Sequence, residues 1–577
     1  MTKIAMLSDC ALQNTGYATI TRNLLNELTN RGFECINFAH SYVGQQISNV
    51  KFSDGTVCNF TIHGNGMQQY FQDILEPKLR EFKPDILIIL LDTFMTYPWL
   101  LQKDLSPAKT IFYFPHDGGG TLPLGCDQIL RKVDKAVAMA QNGQEICKCK
   151  YNIDAHYIPH AVHHNIYKPY SEDKKKQLRQ AYGFSENDFI IGSVARNQSR
   201  KMMDRTFKIF KEFAKINPLA KLFLHTDPYD NAAIFNMMEM IKEYKIQNRV
   251  RFSGMKYYKG FDYTKMPDVY NLMDVFILTT SGEGFGVPII EAMSCEIPCL
   301  VTNYTTTEEL VLKTGSGMGI NLLTELTGTW NVERGICSIE DGVQKLNLMF
   351  EHKCKNTVQW RMWKSNGRKA VIKNYTWDKV TNDWIKLFEE ILEEDLSMKD
   401  EVYFKDRQLE VKHFIDAKNW KEFFNCKTAF EFGCGLGPRV YAMNFVGINA
   451  RGSEKSLYAV NHSMIKDKVV QEDILNTEYD AIEDAELVIL YDILEHIPYN
   501  KLNDAINIAI NRTSKYILVS IPYKETFNCD NDPTHIIKED REWWVKQFLD
   551  KGLKEIKVPD NFLFKEQLLI FEVQYEN

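Results

Sequence analysis

A chain of 577 residues, 44% hydrophobic and 25% charged, is made up like a soluble globular protein of several domains, which excludes a disordered or fibrous chain. Its net charge of -7 and pI near 6.1 argue against broad, sequence-independent nucleic-acid binding and leave room only for a local basic groove. Thirteen cysteines with no paired framework and no apolar leader predict a cytoplasmic setting, and the lack of a spanning apolar run leaves peripheral contact as the one open form of membrane association.

Lys3 to Ser8 reads as a first strand, and Thr15 to Arg31 has apolar residues at helical spacing, so Gly16 falls on the loop between them. Ile86 to Leu90 is a short strand after a Pro-Asp start, and Thr110 to Asp117 (TIFYFPHD) is another that runs into a loop at His116. Cys147, Cys149, His156, His160, His163 and His164 fit no structural zinc spacing. Ile191 to Lys201 (IGSVARNQSRK) is a strand followed by Arg196 and Lys201. Asp274 to Thr280 (DVFILTT) is a buried strand, and Pro288 then sits in the first turn of a helix. Between them Ser281 to Met293 (SGEGFGVPIIEAM) sets Glu283 and Glu291 on either side of a glycine-rich turn. Gly284 and Gly286 let backbone approach a ligand, the free amides at the helix start favour an anion, and a carboxylate one turn in can accept from two ribose hydroxyls.

These residues resemble the E-x7-E signature of the retaining glycosyltransferases of family 4 (group 1), which have the two-domain GT-B fold. Arg196 and Lys201 resemble the family's Arg-x4-Lys, Pro159 to Pro169 (PHAVHHNIYKP) its hinge, and Asn374 to Leu387 its closing helix, so the resemblance covers roughly residues 1 to 395. It implies a nucleotide-diphosphate sugar, UDP- or GDP-linked, as donor. Arg196 and Lys201 would hold the diphosphate, Glu291 the ribose and Glu283 the sugar hydroxyls, with Gly16, Gly284, Phe285 and Gly286 lining the donor and His116 against the donor sugar. Fixed cations that stabilise charge on the leaving oxygens make a metal unnecessary for sugar transfer. Retention is implied too, with the leaving phosphate accepting the acceptor's proton.

Ala429 to Gly437 (AFEFGCGLG) sets Glu431, Gly433, Gly435 and Gly437 as E-x-G-x-G-x-G after a strand-like run, and Pro438 rules out the third glycine of a dinucleotide loop. Glu454, Asp473 and the run Leu487 to Pro498 (LVILYDILEHIP) follow, and Tyr516 to Pro522 reads as a further strand. This order resembles the class I S-adenosylmethionine-dependent methyltransferases. It implies a cofactor held by Glu431, the three glycines, Glu454 on the ribose, Asp473 near the adenine and Asp492, with His496 and His535 as candidate bases. Asp492, Glu495 and His496 also resemble a carboxylate–imidazole cluster that binds a divalent ion in some methyltransferases, whereas a helix start with ordinary acids needs no ion; the residue assignment carries no metal ligand. Asp530 to Asp532 spells D-x-D, which reads as a turn.

The expected architecture is α/β: a GT-B pair of Rossmann-like domains at 1–165 and 166–395, a linker at 396–412, and a third, methyltransferase-like Rossmann domain at 413–577. The expected function is bifunctional, sugar transfer to a glycan or other hydroxyl acceptor plus methyl transfer, on the same glycan. The alternatives are modified DNA as acceptor, a silent methyltransferase-like module, and a scaffold that uses both folds for binding only.

Overall fold

Most of the described strands alternate with helices, and the apolar runs of the central strands are buried on both faces, as parallel strands covered by helices must be. A computed structural model describes residues 2–574 apart from 52–56, 231–232, 257–260, 262, 406, 477–484 and 525–534, with backbone alone for 263, 393–402 and 476. The D-x-D at Asp530 to Asp532 lies outside the described residues. The chain divides into two compact units, Met1–Ile391 and Leu392–Asn577.

Unit one holds two large sheets and a two-stranded one. The first comprises β1 (Lys3–Ser8), β2 (Glu34–Ala39), β3 (Ile47–Lys51), β4 (Val57–Gly64), β5 (Ile86–Ile89), β6 (Lys109–Phe114), β7 (Lys135–Ala138) and β8 (His156–Tyr157), in the order β3-β4-β2-β1-β5-β6-β7-β8. All neighbours are parallel except β3 on β4. The second comprises β9 (Phe189–Val194), β10 (Ala220–His225), β11 (Val250–Phe252), β12 (Val275–Leu278), β13 (Cys299–Thr302) and β14 (Gly317–Ile320), all parallel, in the order β11-β10-β9-β12-β13-β14. In each sheet the winding reverses once, beside β1 and β5 in the first and beside β9 and β12 in the second. Crevices open at the carboxyl ends of such strand pairs, because the chain leaves them in opposite directions.

A hairpin of β15 (Leu322–Thr327) and β16 (Glu333–Cys337) forms a separate two-stranded sheet. The helix Trp377–Phe404 returns to the first sheet: Arg31 pairs with Asp378 at 2.8 Å, Trp384 is fully buried with its ring edge-on to Tyr113 at 4.9 Å, and Lys135 reaches Glu390 at 3.3 Å. This helix also runs on through 396–404, where a linker was expected. The sequence there, LSMKDEVYF, contains no glycine or proline to stop it.

Unit two is one seven-stranded sheet of β17 (Thr428–Phe432), β18 (Asn449–Glu454), β19 (Val469–Gln471), β20 (Ala485–Tyr491), β21 (Thr513–Ser520), β22 (Lys554–Ile556) and β23 (Leu568–Glu572). The order is β19-β18-β17-β20-β21-β23-β22, with β23 antiparallel to both neighbours and the rest parallel. Its winding reverses beside β17 and β20, so the glycine loop after β17 and the Asp492–His496 segment after β20 leave the sheet at one crevice.

Candidate functional site

In unit one the reversal of the second sheet brings together the loops after β9 and β12. Lys201, on a short turn after β9, donates from Nζ to Glu283 Oε1 at 2.5 Å, and Arg200 donates to Glu283 Oε2 at 3.1 Å. Glu283 is buried at 3% exposure. Burial acts to raise its pKa, but the Lys201 and Arg200 charges outweigh that and hold it at about 2, so the carboxylate is ionised throughout the physiological range. Burial and the neighbouring Arg200 charge bring Lys201 down to about 8, with Glu283 pulling the other way. Gly286 caps the helix Val287–Ser294 with φ +101, a conformation that costs a side chain, and Pro288 lies in the first turn.

The first sheet presents its own loops to the same cluster. Asp117, after β6, pairs with Arg200 at 3.3 Å and with Arg334 at 3.0 Å. Gly284 lies against Pro115, where an added Cβ would come within 2.5 Å of the proline ring. His116 is buried, and burial lowers it to about 4, so its imidazole is neutral near pH 7; Nε2 has no partner among the described residues. After β5, Asp92 accepts from the Tyr17 hydroxyl at 2.6 Å, and the charges of Asp117 and Arg200 act on it. Gly16 opens the helix Gly16–Asn30 with nothing within 4 Å of where a Cβ would stand.

The predicted residues divide in their placement. Glu283, Lys201 and the Gly284–Gly286 turn share one cluster, joined through Asp117 to the loop that carries His116. Arg196 is turned to Asp230, donating from Nε at 2.7 Å, while Arg200, which the sequence reading passed over, takes the place beside Glu283. Phe285 packs its ring on His160 at 4.8 Å and on Tyr375 at 5.9 Å, so its backbone, not its ring, faces the turn. Glu291 is buried and accepts from the Tyr270 hydroxyl at 2.5 Å; burial raises it to about 7, against the pull of the tyrosine hydrogen bonds. Arg200, Asp117 and Asp92 were legible in sequence only as loop residues beside motifs and Tyr17 only as part of the first helix, since their grouping is a product of the two sheets.

In unit two, Gly433, Gly435 and Gly437 all have positive φ, at +61, +55 and +78. Glu454 accepts from Gly435 N and from Ser456 N, both at 2.9 Å, so its carboxylate fixes the glycine loop as well as facing it. Glu431, 1% exposed and raised to about 7 by burial, has Arg439 at 3.4 Å as its partner. Asp473 pairs with Lys455 at 3.2 Å, and Asp492, at φ +55, accepts from Ser520 Oγ at 2.7 Å. Phe404, unread from sequence, lies against Gly435 in a small apolar cluster with Leu436 and Ala459.

The histidines are placed differently from the sequence reading. Ligand atoms of Glu495, His496 and His535 lie within 4.8 Å of one another, with Glu495 fully buried and the two rings 4.9 Å apart, whereas Asp492 is engaged by Ser520. Backbone bonds from Ile536 N and Ile537 N to the Glu495 carbonyl, at 2.7 and 3.0 Å, bring His535 to this point. Two imidazoles and a carboxylate so placed make a set able to hold a divalent cation.

The family model for glycosyl transferases group 1 matches residues 174–321. Among curated proteins, the mannosylfructose-phosphate synthase of Agrobacterium fabrum is 29% identical over 152 residues, which is 26% of this chain and 32% of that protein. The N-acetyl-alpha-D-glucosaminyl L-malate synthase of Bacillus anthracis is 23% identical over 221 residues, 38% of this chain and 50% of that protein. The chain thus spans between about a third and a half of the length of these two relatives. Among solved structures, the sucrose-phosphate synthase of Thermosynechococcus elongatus aligns with a TM-score of 0.53 at 14% identity, covering 68% of this chain and 99% of that one. Anabaena HepE in complex with UDP and glucose aligns with a TM-score of 0.51 at 15% identity, covering 68% and 100%. Over about two thirds of its length the chain therefore has a GT-B-like fold of parallel-sheet, Rossmann-like domains, and its segment 174–321 is similar to the glycosyl transferases group 1.

Proposed function

We propose that this chain transfers a sugar, with retention, from a nucleotide-diphosphate sugar to a hydroxyl of a glycan in the cytoplasm, and that the 413–577 region is a methyltransferase acting on the same product. The observation that carries the first half is the Arg200–Lys201–Glu283 cluster at the strand reversal, with a neutral His116 on the loop joined to it through Asp117. Lys201, Arg200 and the first amides of the helix Val287–Ser294 are the donors for the leaving diphosphate, and they gain most as charge builds there. Arg196 reaches that group only by leaving Asp230, so it is assigned to the outer part of the diphosphate. Glu291 takes the ribose and Glu283 the sugar hydroxyls. His116, neutral and with one ring nitrogen unpartnered among the described residues, is suited to hydrogen-bond a sugar hydroxyl without adding charge. UDP is the nucleotide favoured, by analogy with the HepE complex.

For the second half, support comes from the strand order of unit two, in which one antiparallel strand, β23, lies next to the edge of an otherwise parallel sheet, and from the positive-φ glycine loop tied to Glu454. That loop would hold S-adenosylmethionine, with Phe404, Leu436 and Ala459 as an apolar wall beside it. Glu495, His496 and His535 would hold a divalent ion, which when bound supplies Lewis acidity to an acceptor hydroxyl. If that ion is not taken up, His496 and His535 remain the candidate bases.

Calorimetric titration with UDP, GDP, ADP and S-adenosylhomocysteine tests both halves on the wild type and on Lys201→Ala and Gly435→Arg variants. One diphosphate and the homocysteine are expected to bind, each being lost in only its own variant. Absence of all binding would overturn the two-enzyme reading in favour of a scaffold.

A further inference from the structure

The β15–β16 hairpin ties together the loops that make up the candidate site of unit one. On one side Gly335 N donates to the Ser281 carbonyl at 3.0 Å, two residues from Glu283. On the other, Glu333 and Gly119 exchange backbone hydrogen bonds at 3.0 and 3.3 Å, and Arg334 holds Asp117. The tip, Thr329–Asn331, carries Trp330 at φ +63. An aromatic residue in that region is strained by about 1–2 kcal/mol, so its surroundings must hold it there.

What they hold it against is Phe94, with ring centroids 5.9 Å apart and planes within 17°. The two rings remain exposed all the same, Trp330 by 50% and Phe94 by 40%. Phe94 stands two residues after Asp92, the acceptor of the Tyr17 hydroxyl, and Trp330 stands four residues before Arg334. The stacked pair is therefore anchored to the Arg200–Asp117–Asp92 cluster from both sides, at its rim.

The charge around this platform narrows what can cover it. Residues 322–337 carry Glu325 and Glu333 and a single cation, Arg334, which Asp117 already engages. A polyanion would find no charge to neutralise its phosphates there, which disfavours nucleic acid despite the stacking that bases offer. A pyranose fits: one face is a patch of C–H groups that lies flat on an indole, and its hydroxyls can reach Thr329 and Asn331 at the tip.

We propose that Trp330 and Phe94 form the acceptor subsite and that the acceptor is a neutral saccharide, one ring of which stacks on Trp330. The inference rests on the sugar-transfer reading and names its substrate class.

The test uses the labelled full chain on an array of immobilised neutral oligosaccharides, sulfated oligosaccharides, and single- and double-stranded oligonucleotides. Wild type should be retained on neutral glycans, at least tenfold more weakly after Trp330→Ala or Phe94→Ala, with partial retention for Trp330→Phe and no change for Leu326→Ala on the same hairpin. UDP and GDP titration of the same proteins should give equal nucleotide affinity, which certifies the fold of the variants. Glycan retention indifferent to Trp330→Ala, retention on oligonucleotides or sulfated glycans instead, or no retention on neutral glycans overturns the subsite. Trp330-dependent glycan retention in a wild type that binds no nucleoside diphosphate keeps the subsite and removes the transferase reading.

Discussion

Lys201 shows how much the neighbours of one side chain decide. Alone on a surface it would stay charged to beyond pH 10. Here burial and Arg200 bring it down to about 8, so near neutral pH most molecules present an ammonium and by pH 9 most do not. A diphosphate favours the protonated form. Binding should therefore take up a proton above pH 8, and nucleotide affinity should fall there by up to about tenfold per pH unit. Calorimetry at pH 7, 8 and 9 in buffers of different ionisation enthalpy reads both quantities; flat affinity across that range would count against Lys201 as a phosphate ligand. Sequence named Lys201 and Glu283 because both stand in spaced motifs. It chose Arg196 over Arg200 because spacing along a chain does not show which of two arginines a turn aims inward, and it could not see that Phe285 spends its ring on His160.

Among the elements, the helix Val287–Ser294 depends on its first residue most. Gly286 at φ +101 would strain any substitute, and an added Cβ would stand 3.0 Å from Ile289 Cδ1. Gly183, at φ +74 with nothing within 4 Å, is the matched control. Gly183→Ala should lower stability by about 1 kcal/mol and leave nucleotide affinity unchanged, whereas Gly286→Ala should lower both, since relief of strain moves the turn that carries Glu283. Thermal melts and UDP titration separate the two outcomes. The strands around this helix were legible as apolar runs between turn residues. The hairpin β15–β16 was not, because LLTELT and ERGIC are short, half polar and joined without a glycine pair that announces a tight turn. Asn449–Glu454 likewise lacks a strand's apolar alternation, and only Glu454 marked it.

For the molecule as a whole, each unit has its own sheets and buried residues of its own, with Trp384 and Tyr113 in the first and Trp544 and Phe571 in the second. Scanning calorimetry of the full chain should then resolve two transitions. A nucleoside diphosphate at about 100 times its Kd should raise only one, by about 2.7 kcal/mol, and S-adenosylhomocysteine only the other. One transition moved equally by either ligand would contradict this independence.

The returning helix Trp377–Phe404 adds a constraint in time. The surface of β6 that Trp384 covers is translated roughly 270 residues before its cover, and at about 5–20 residues per second that gap is on the order of tens of seconds. Through that interval Tyr113 and its neighbours lack the side chains that bury them in the finished protein. A ribosome stalled anywhere in 160–376 would hold a first half that is fully synthesised and still open, so the vulnerable stage in the life of this protein falls during its own synthesis.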